Sequence, residues 1–213
     1  YLVAGSLHLS AADGMPPRRP ITDPALNITD FRWSPDGKAI AFYGQRGDDS
    51  NYTLYVTNKD GSQVRTIASN IATTGSLAWA NDSAQLVFTG NCGNAKSDDD
   101  LCVATANGTD VHPLAHGFQP SWSPDNRSIH FTFNNELHTI DATGGRERRL
   151  THPTALAVDS DSVWSPDSTR LVFQRIYLAD AAQDGRYSVY STLNLINADG
   201  SGLNPLSDGV TTF

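Results

Sequence analysis

Each of the four tryptophans in this chain opens the same short phrase. Trp33-Ser34-Pro35-Asp36-Gly37, Trp79-Ala80-Asn81-Asp82-Ser83, Trp122-Ser123-Pro124-Asp125-Asn126 and Trp164-Ser165-Pro166-Asp167-Ser168 follow one another at spacings of 46, 43 and 42 residues. A period this short defines a unit that cannot bury both of its faces alone, so the units must stack on one another. The phrase itself is turn chemistry. Proline presets φ, and the Asp followed by Gly, Asn or Ser tolerates a tight return of the chain.

A short apolar run follows every such turn: Ala39–Phe42, Gln85–Phe88, Ser128–Phe131 and Arg170–Phe173. A second phrase ending in a turn then recurs five times, at Leu7–Gly14, Leu54–Gly61, Leu101–Gly108, Leu137–Gly144 and Leu193–Gly200. Another strand-like stretch comes after it, as in Gln63–Ala68 and Arg146–Thr151. The unit is therefore four short antiparallel strands in about 43 residues, which is the period of a β-propeller blade. The acid composition agrees. Of 23 acidic residues only Glu136 and Glu147 are glutamate, and Asp favours turns where Glu favours helix interiors. We expect an all-β fold: one β-propeller domain over residues 1–213, with repeat units at roughly 1–26, 27–70, 71–116, 117–156 and 157–213. A β-sandwich would have to produce nine turn phrases in register by accident.

The segments Trp33–Phe42 (WSPDGKAIAF) and Leu193–Gly202 (LNLINADGSG) resemble the WD-like repeats of TolB-type propellers, and the resemblance covers nearly the whole chain. It implies the propeller fold and leaves function open. Related propellers occur in TolB, in protein-binding modules, in prolyl-oligopeptidase-type peptidases and in some polysaccharide lyases. The α/β domain that precedes the propeller in TolB has no counterpart here.

The strand arithmetic does not close, since there are four first strands for five third and fourth strands. Residues 1–4 read as a second strand, so the first blade lacks its first strand. Asp208–Phe213 resembles Asn27–Phe31, the residues just before Arg32-Trp33. In one reading Val210–Phe213 is the stub of a first strand that closes a five-bladed ring; in another, favoured because the chain stops just before a repeat motif, it is a fragment of a larger propeller; in a third, one chain completes the next. Tyr1–Gly5 lacks the length and charge of a signal peptide, which points to a processed or excised chain.

Uniform turns serve the scaffold, whereas variable loops carry function. The longest variable loops are Gly44–Thr53, Gly90–Asp100 and Gln174–Thr192. They bring Asp48, Asp49, Asp98, Asp99, Asp100, Asp180 and Asp184 into candidate partner-binding loops. Inter-blade loops add Asp23, Asp30, Asp159 and Asp161. A net charge of −8 excludes a nucleic-acid backbone as partner and suits a basic one. Asp98–Asp100 and Asp159–Asp161 offer oxygen ligands for Ca²⁺, without the full spacing of a calcium loop; no other cofactor is expected. Three residues before each Trp stand Asp30, Ser76, Gln119 and Asp161, with Thr212 as the expected fifth. This polar set would ring one channel mouth and hold a small polar ligand. With His116, Asp30, Gln119 and Asp161 form the one cluster that could serve a lyase.

Cys92 and Cys102 flank one hairpin loop and are expected to form a disulfide, which suits a periplasmic or extracellular protein. Five Asn-x-Ser/Thr sequons (Asn27, Asn51, Asn81, Asn107, Asn126) do not decide for glycosylation. No Gly-x-Ser-x-Gly elbow, phosphate loop or His-Glu-x-x-His motif is present. No apolar run is long enough to span a membrane. The leading expectation is a non-catalytic scaffold that binds a protein or peptide through its variable-loop face. Its rivals are a sugar-active or peptidase-associated propeller with a ligand or metal at the channel mouth, and a structural subunit that joins chain to chain through open blade edges.

Overall fold

The structure is a computed structural model and describes residues 2–3, 5–9, 20, 22–71, 76–90, 92, 100–179, 188–207 and 210–212. These residues form strands and turns only, and none of them builds a helix long and apolar enough to cross a membrane. The chain divides into two compact units, Tyr1–His116 and Gly117–Phe213.

The first unit holds three sheets. β1 (Leu2–Val3) pairs with β2 (Ser6–Leu7) in a two-stranded sheet. The four-stranded sheets that follow run in chain order, each strand antiparallel to the last. One is built of β3 (Leu26–Trp33), β4 (Ala39–Arg46), β5 (Tyr52–Asn58) and β6 (Arg65–Ile71). The other is built of β7 (Leu77–Trp79), β8 (Gln85–Thr89), β9 (Asp100–Thr105) and β10 (Val111–His116). Short apolar runs became strands because both faces of the central strands are covered: Ile40 to Tyr43, Leu86 to Phe88 and Leu101 to Ala104 are all buried. Such strands lose the polar–apolar alternation of a one-sided sheet. Tyr43, Leu54, Ile71, Trp79 and Phe88 belong to one core between the two sheets, and the Tyr43 hydroxyl donates to the Thr89 carbonyl at 3.2 Å.

The second unit holds two sheets. β11 (Phe118–Trp122), β12 (Ser128–Phe133), β13 (Glu136–Asp141) and β14 (Arg148–Arg149) form the first. β15 (Ala157–Trp164), β16 (Arg170–Ala179), β17 (Ser188–Asn197) and β18 (Asn204–Pro205) form the second, and β19 (Val210–Thr212) also pairs with β17. Leu137, Leu150, Trp164, Leu171, Phe173 and Ile196 make the core between them.

The repeated phrase has a repeated hydrogen-bond pattern. The Ser34 hydroxyl donates to Asp36 Oδ1 at 2.7 Å, the Lys38 amide donates to the same carboxylate at 3.0 Å, and the Ala39 amide donates to Ser34 Oγ at 2.9 Å. Ser123–Ser128 and Ser165–Arg170 repeat this scheme. The serine hydroxyls hold Asp36 and Asp167 at about 2, below the usual carboxylate range. The residue after each of these aspartates takes a left-handed conformation, with φ +68 at Gly37, +63 at Ser83, +60 at Asn126 and +61 at Ser168. The second turn needs glycine more strictly. At Gly108 (φ +76) an added Cβ would stand 2.9 Å from the Thr66 carbonyl oxygen of the preceding sheet.

Successive sheets of a unit are joined by two recurring bonds. The Trp79 indole donates to the Arg32 carbonyl at 3.1 Å, and the Asp36 amide donates to Ser83 Oγ at 3.1 Å. In the second unit the Trp164 indole donates to the Ser121 carbonyl at 3.4 Å, and the Asp125 amide donates to Ser168 Oγ at 3.1 Å. Trp79 and Trp164 are buried accordingly; Trp122 is also buried, its Nε1 without a hydrogen-bond partner, while Trp33 is 43% exposed. Trp33 stands next to the sheet of β1 and β2, which has no first strand among the described residues.

One expectation about the chain ends is corrected. Val210–Thr212 is not the stub of a new first strand. Its residues pair with the third strand of the last sheet, Thr212 opposite Val189 and Val210 opposite Ser191, on the side where β18 also lies. β18 and β19 are thus two halves of one outer strand. The likeness of Asp208–Phe213 to Asn27–Phe31 misled because a Thr-rich alternating strand reads the same at the inner and the outer edge.

Cys92 and Cys102 form a disulfide, with Cα atoms 5.6 Å apart and both residues buried. It closes a loop of ten residues. Replacing both cysteines by serine is expected to cost about 2–3 kcal/mol in urea unfolding, and reductant is expected to cost the wild type the same. Equal stability with and without reductant would show that the bond is dispensable.

Candidate functional site

The positions three residues before each Trp share a backbone feature. Strand register slips between Ile28 and Asp30, between Phe118 and Ser121, and between Ser160 and Val163. Each slip is a β-bulge, and Gln119 and Asp161 sit in theirs at φ +51 and +49. Ser76 immediately precedes β7, and its carbonyl accepts the Thr89 amide. Asp30 caps its own bulge by accepting the Phe31 amide at 2.9 Å, and it pairs with Arg32. Asp30 and Ser76 belong to the first unit, Gln119 and Asp161 to the second. Thr212 lies in an outer strand, as described above.

The acidic loop residues divide. Asp48 and Asp49 are exposed at the turn between β4 and β5. Asp98, Asp99, Asp180 and Asp184 lie outside the described residues. Asp100 is not at a loop tip: it begins β9, is 4% exposed, and holds His116 Nδ1 at 2.6 Å from its Oδ1. That pairing engages Nδ1 of His116, a member of the cluster that a lyase would need. Asp159, a candidate calcium ligand, is fully buried and clamped by Arg175, with Nε to Oδ1 at 2.6 Å and Nη2 to Oδ2 at 2.8 Å. Both of its oxygens are thereby engaged. Among the described residues no group of three or more His, Cys, Asp or Glu side chains could hold a metal ion.

Two hollows remain. A cleft of about 200 Å³ in the first unit is lined by Asp49, Ser50, Asn51, Tyr52, Thr53 and Asn70. Its shape comes from the turn, where the Asp49 amide donates to the Arg46 carbonyl and the Gln45 side-chain amide donates to the Asp49 carbonyl. A larger open cleft of about 470 Å³ in the second unit is lined by Asp161, Gln174, Ser191, Thr192, Leu193 and Ser207. Sequence reasoning singled out Asp49 and Asp161 but not Asn70 or Ser207. Both of these lie on outer strands or their flanks, where single-chain patterns are weakest.

No family model matches the chain. It is 26% identical over 154 residues to the uncharacterized peptidase YuxL of Bacillus subtilis, a match that covers 72% of this chain and 22% of that protein. The chain thus spans about a fifth of the length of that relative. In structure it is similar to the putative TolB of Agrobacterium tumefaciens, with TM-score 0.64 and 19% identity, covering 92% of this chain and 72% of the other. It is also similar to the β-propeller domain of the trilobed protease of Pyrococcus furiosus, which is described as having an open velcro topology. There the TM-score is 0.63 and the identity 13%, covering 87% of this chain and 58% of the other. The paired four-stranded sheets, their repeated turns and these likenesses together establish that the chain has a TolB-like β-propeller fold.

Proposed function

We propose that this chain is a non-catalytic binding module, a β-propeller that engages a protein or peptide through its variable loops in an oxidising compartment such as the periplasm or the cell exterior. The observation that carries this reading is the cleft behind the β4–β5 turn. At about 200 Å³ it is smaller than the roughly 300–1,000 Å³ of a small-molecule site. It suits one side chain of a partner. Asp49 stands at its wall with Asp48 beside it, among neutral hydrogen-bonding groups, so a lysine or arginine is the side chain that fits. The net charge of −8 steers a basic partner toward such a surface. The disulfide supports the compartment.

The test is binding of a fluorescent peptide library, half carrying Lys or Arg and half carrying neutral replacements. Basic peptides are expected to bind at least about tenfold tighter and to weaken as salt rises past the screening range. Asp48→Asn with Asp49→Asn is expected to abolish the preference while leaving the melting temperature unchanged. A preference that survives the double variant would overturn the assignment of this loop.

The sequence relative favours a second reading, in which this propeller serves a peptidase whose catalytic domain lies outside these residues. A serine-hydrolase probe applied to the longest natural polypeptide containing the chain separates the two. Labelling of that polypeptide would support the peptidase reading, and its absence would favour the binding module.

A further inference from the structure

The five Asn-x-Ser/Thr sequons stand in different surroundings once the chain is folded. Asn27 lies within β3 opposite Gln45, and its Oδ1 is so near Gly5 that a Cβ there would stand 2.6 Å away. Asn81 and Asn126 sit in the tight turns after Trp79 and Trp122. The Ser83 and Asn126 amides close those turns by donating to the Ala80 and Ser123 carbonyls at 2.9 Å. Asn107 sits in the turn between β9 and β10. Its Oδ1 accepts the Thr105 hydroxyl at 2.6 Å, the Thr109 amide at 3.0 Å and the Thr109 hydroxyl at 2.8 Å. Asn51 differs from all of these. It ends an unbroken run of exposed residues, 46–51, between β4 and β5, and among the described residues its carboxamide makes no hydrogen bond. Tyr52 and Thr53, which complete its sequon, are the first two residues of β5.

We propose that Asn51 is a glycosylation acceptor, and that its glycan closes the cleft beside Asp49. The donor is an oligosaccharide linked to a lipid pyrophosphate, used by a transferase of the oxidising compartment. Asn51 Nδ2 attacks the anomeric carbon of the first sugar, and the bond from that carbon to the pyrophosphate oxygen breaks. The lipid pyrophosphate leaves with the electron pair, and Nδ2 gives one of its two protons to a base of the transferase. An acceptor nitrogen must enter another protein's active site, so the chain around it must be exposed and must yield at little cost. At Asn51 the chain has only to fray at the first residues of a strand, where opening is easiest. At Asn107 three hydrogen bonds give way first, and at Asn27 an inner strand leaves its sheet. Regulation follows from position. Asn51 lines the same cleft of about 200 Å³ as Asp49 and Asn70, so a sugar on its Nδ2 stands at the cleft wall and keeps a lysine or arginine out. This regulatory half rests on the reading of the cleft as a basic side-chain site; the acceptor site does not.

The test uses the folded, disulfide-bonded chain, a lipid-linked oligosaccharide and a purified oligosaccharyltransferase that accepts synthetic peptides of all five sequons. Intact mass and peptide mapping are expected to show one glycan, on Asn51, formed at least about tenfold faster than at any other sequon. Asn51→Gln and Thr53→Val are expected to abolish it, and Thr53→Ser is expected to retain it. Transfer to Asn27, Asn81, Asn107 or Asn126 at an equal rate would overturn the acceptor site. So would an unmodified Asn51 in the folded chain beside a modified peptide of the same sequence. The glycosylated chain is expected to bind the Lys- and Arg-containing peptides at least about tenfold more weakly than the unmodified chain, at an unchanged melting temperature. Undiminished binding would overturn the regulation. If the unmodified chain binds none of these peptides, the reading of the cleft fails, and the mass alone decides the acceptor site.

Discussion

Replacing Arg175 by methionine is expected to cost about 3–5 kcal/mol of stability, a fall of roughly 10 °C or more in melting temperature for a chain of this size. Asp159 is fully buried, and Arg175 covers both its oxygens in a bidentate pair at 2.6 and 2.8 Å. The guanidinium also lies 5.6 Å over the Phe173 ring, and the Asp159 carboxylate beside it raises its own affinity for the proton. Removing the cation strands a carboxylate that no water reaches, and the desolvation cost of that charge then falls on the fold. Removing both charges is far milder. Asp159→Leu with Arg175→Met, which keeps the volume and deletes both ions, is expected to recover most of the loss. A double-mutant cycle in urea measures this, and a single variant costing under about 1 kcal/mol would show that the pair does not carry the charge as described.

The second large effect is a pH dependence centred on His130. The ring is 1% exposed, packs 5.8 Å from Trp164, and has no hydrogen-bond partner on Nδ1. Burial pushes its pKa down to about 4. In the unfolded chain the same histidine titrates near 6.5. Between these values the unfolded chain holds a proton that the folded chain refuses, so stability is full above about pH 6.5 and falls with acidification. The loss accumulates to about 3 kcal/mol by pH 4 and then levels off. Asp36 and Asp167, held near 2 by their serine hydroxyls, act in a separate window: their stabilisation is present above about pH 4 and is lost as pH falls through 2. Urea midpoints from pH 7.5 to 4 are expected to show the slope, and His130→Gln is expected to flatten it whatever it does to absolute stability. An unaltered slope in that variant would place the proton elsewhere.

Much of the scaffold was legible in the residues because its determinants are local. A Ser-Pro-Asp turn closes through bonds among six consecutive residues, so Ser34–Ala39, Ser123–Ser128 and Ser165–Arg170 announce themselves wherever they occur. The strands that follow begin where the apolar runs begin, and the cysteines pair because one hairpin holds them ten residues apart. The candidate site was less legible. Asp100 and Asp159 look like solvated loop acids from their neighbours, yet each is buried beside a cation or histidine contributed by the adjacent strand. The position shared by Asp30, Gln119 and Asp161 carries a recurring bulge, which only the pairing of the strands reveals.

The chain by itself therefore determined its class, its period and its turns, because each rests on φ preferences and on hydrogen bonds spanning a few residues. Tertiary structure alone decided which carboxylates stay in water, that Val210–Thr212 completes an outer strand, and that Trp33 remains exposed while Trp79, Trp122 and Trp164 are buried. Those outcomes depend on which strand lies beside which. Strand pairing is settled by apolar area and by backbone groups far apart in the chain, and no local pattern encodes them.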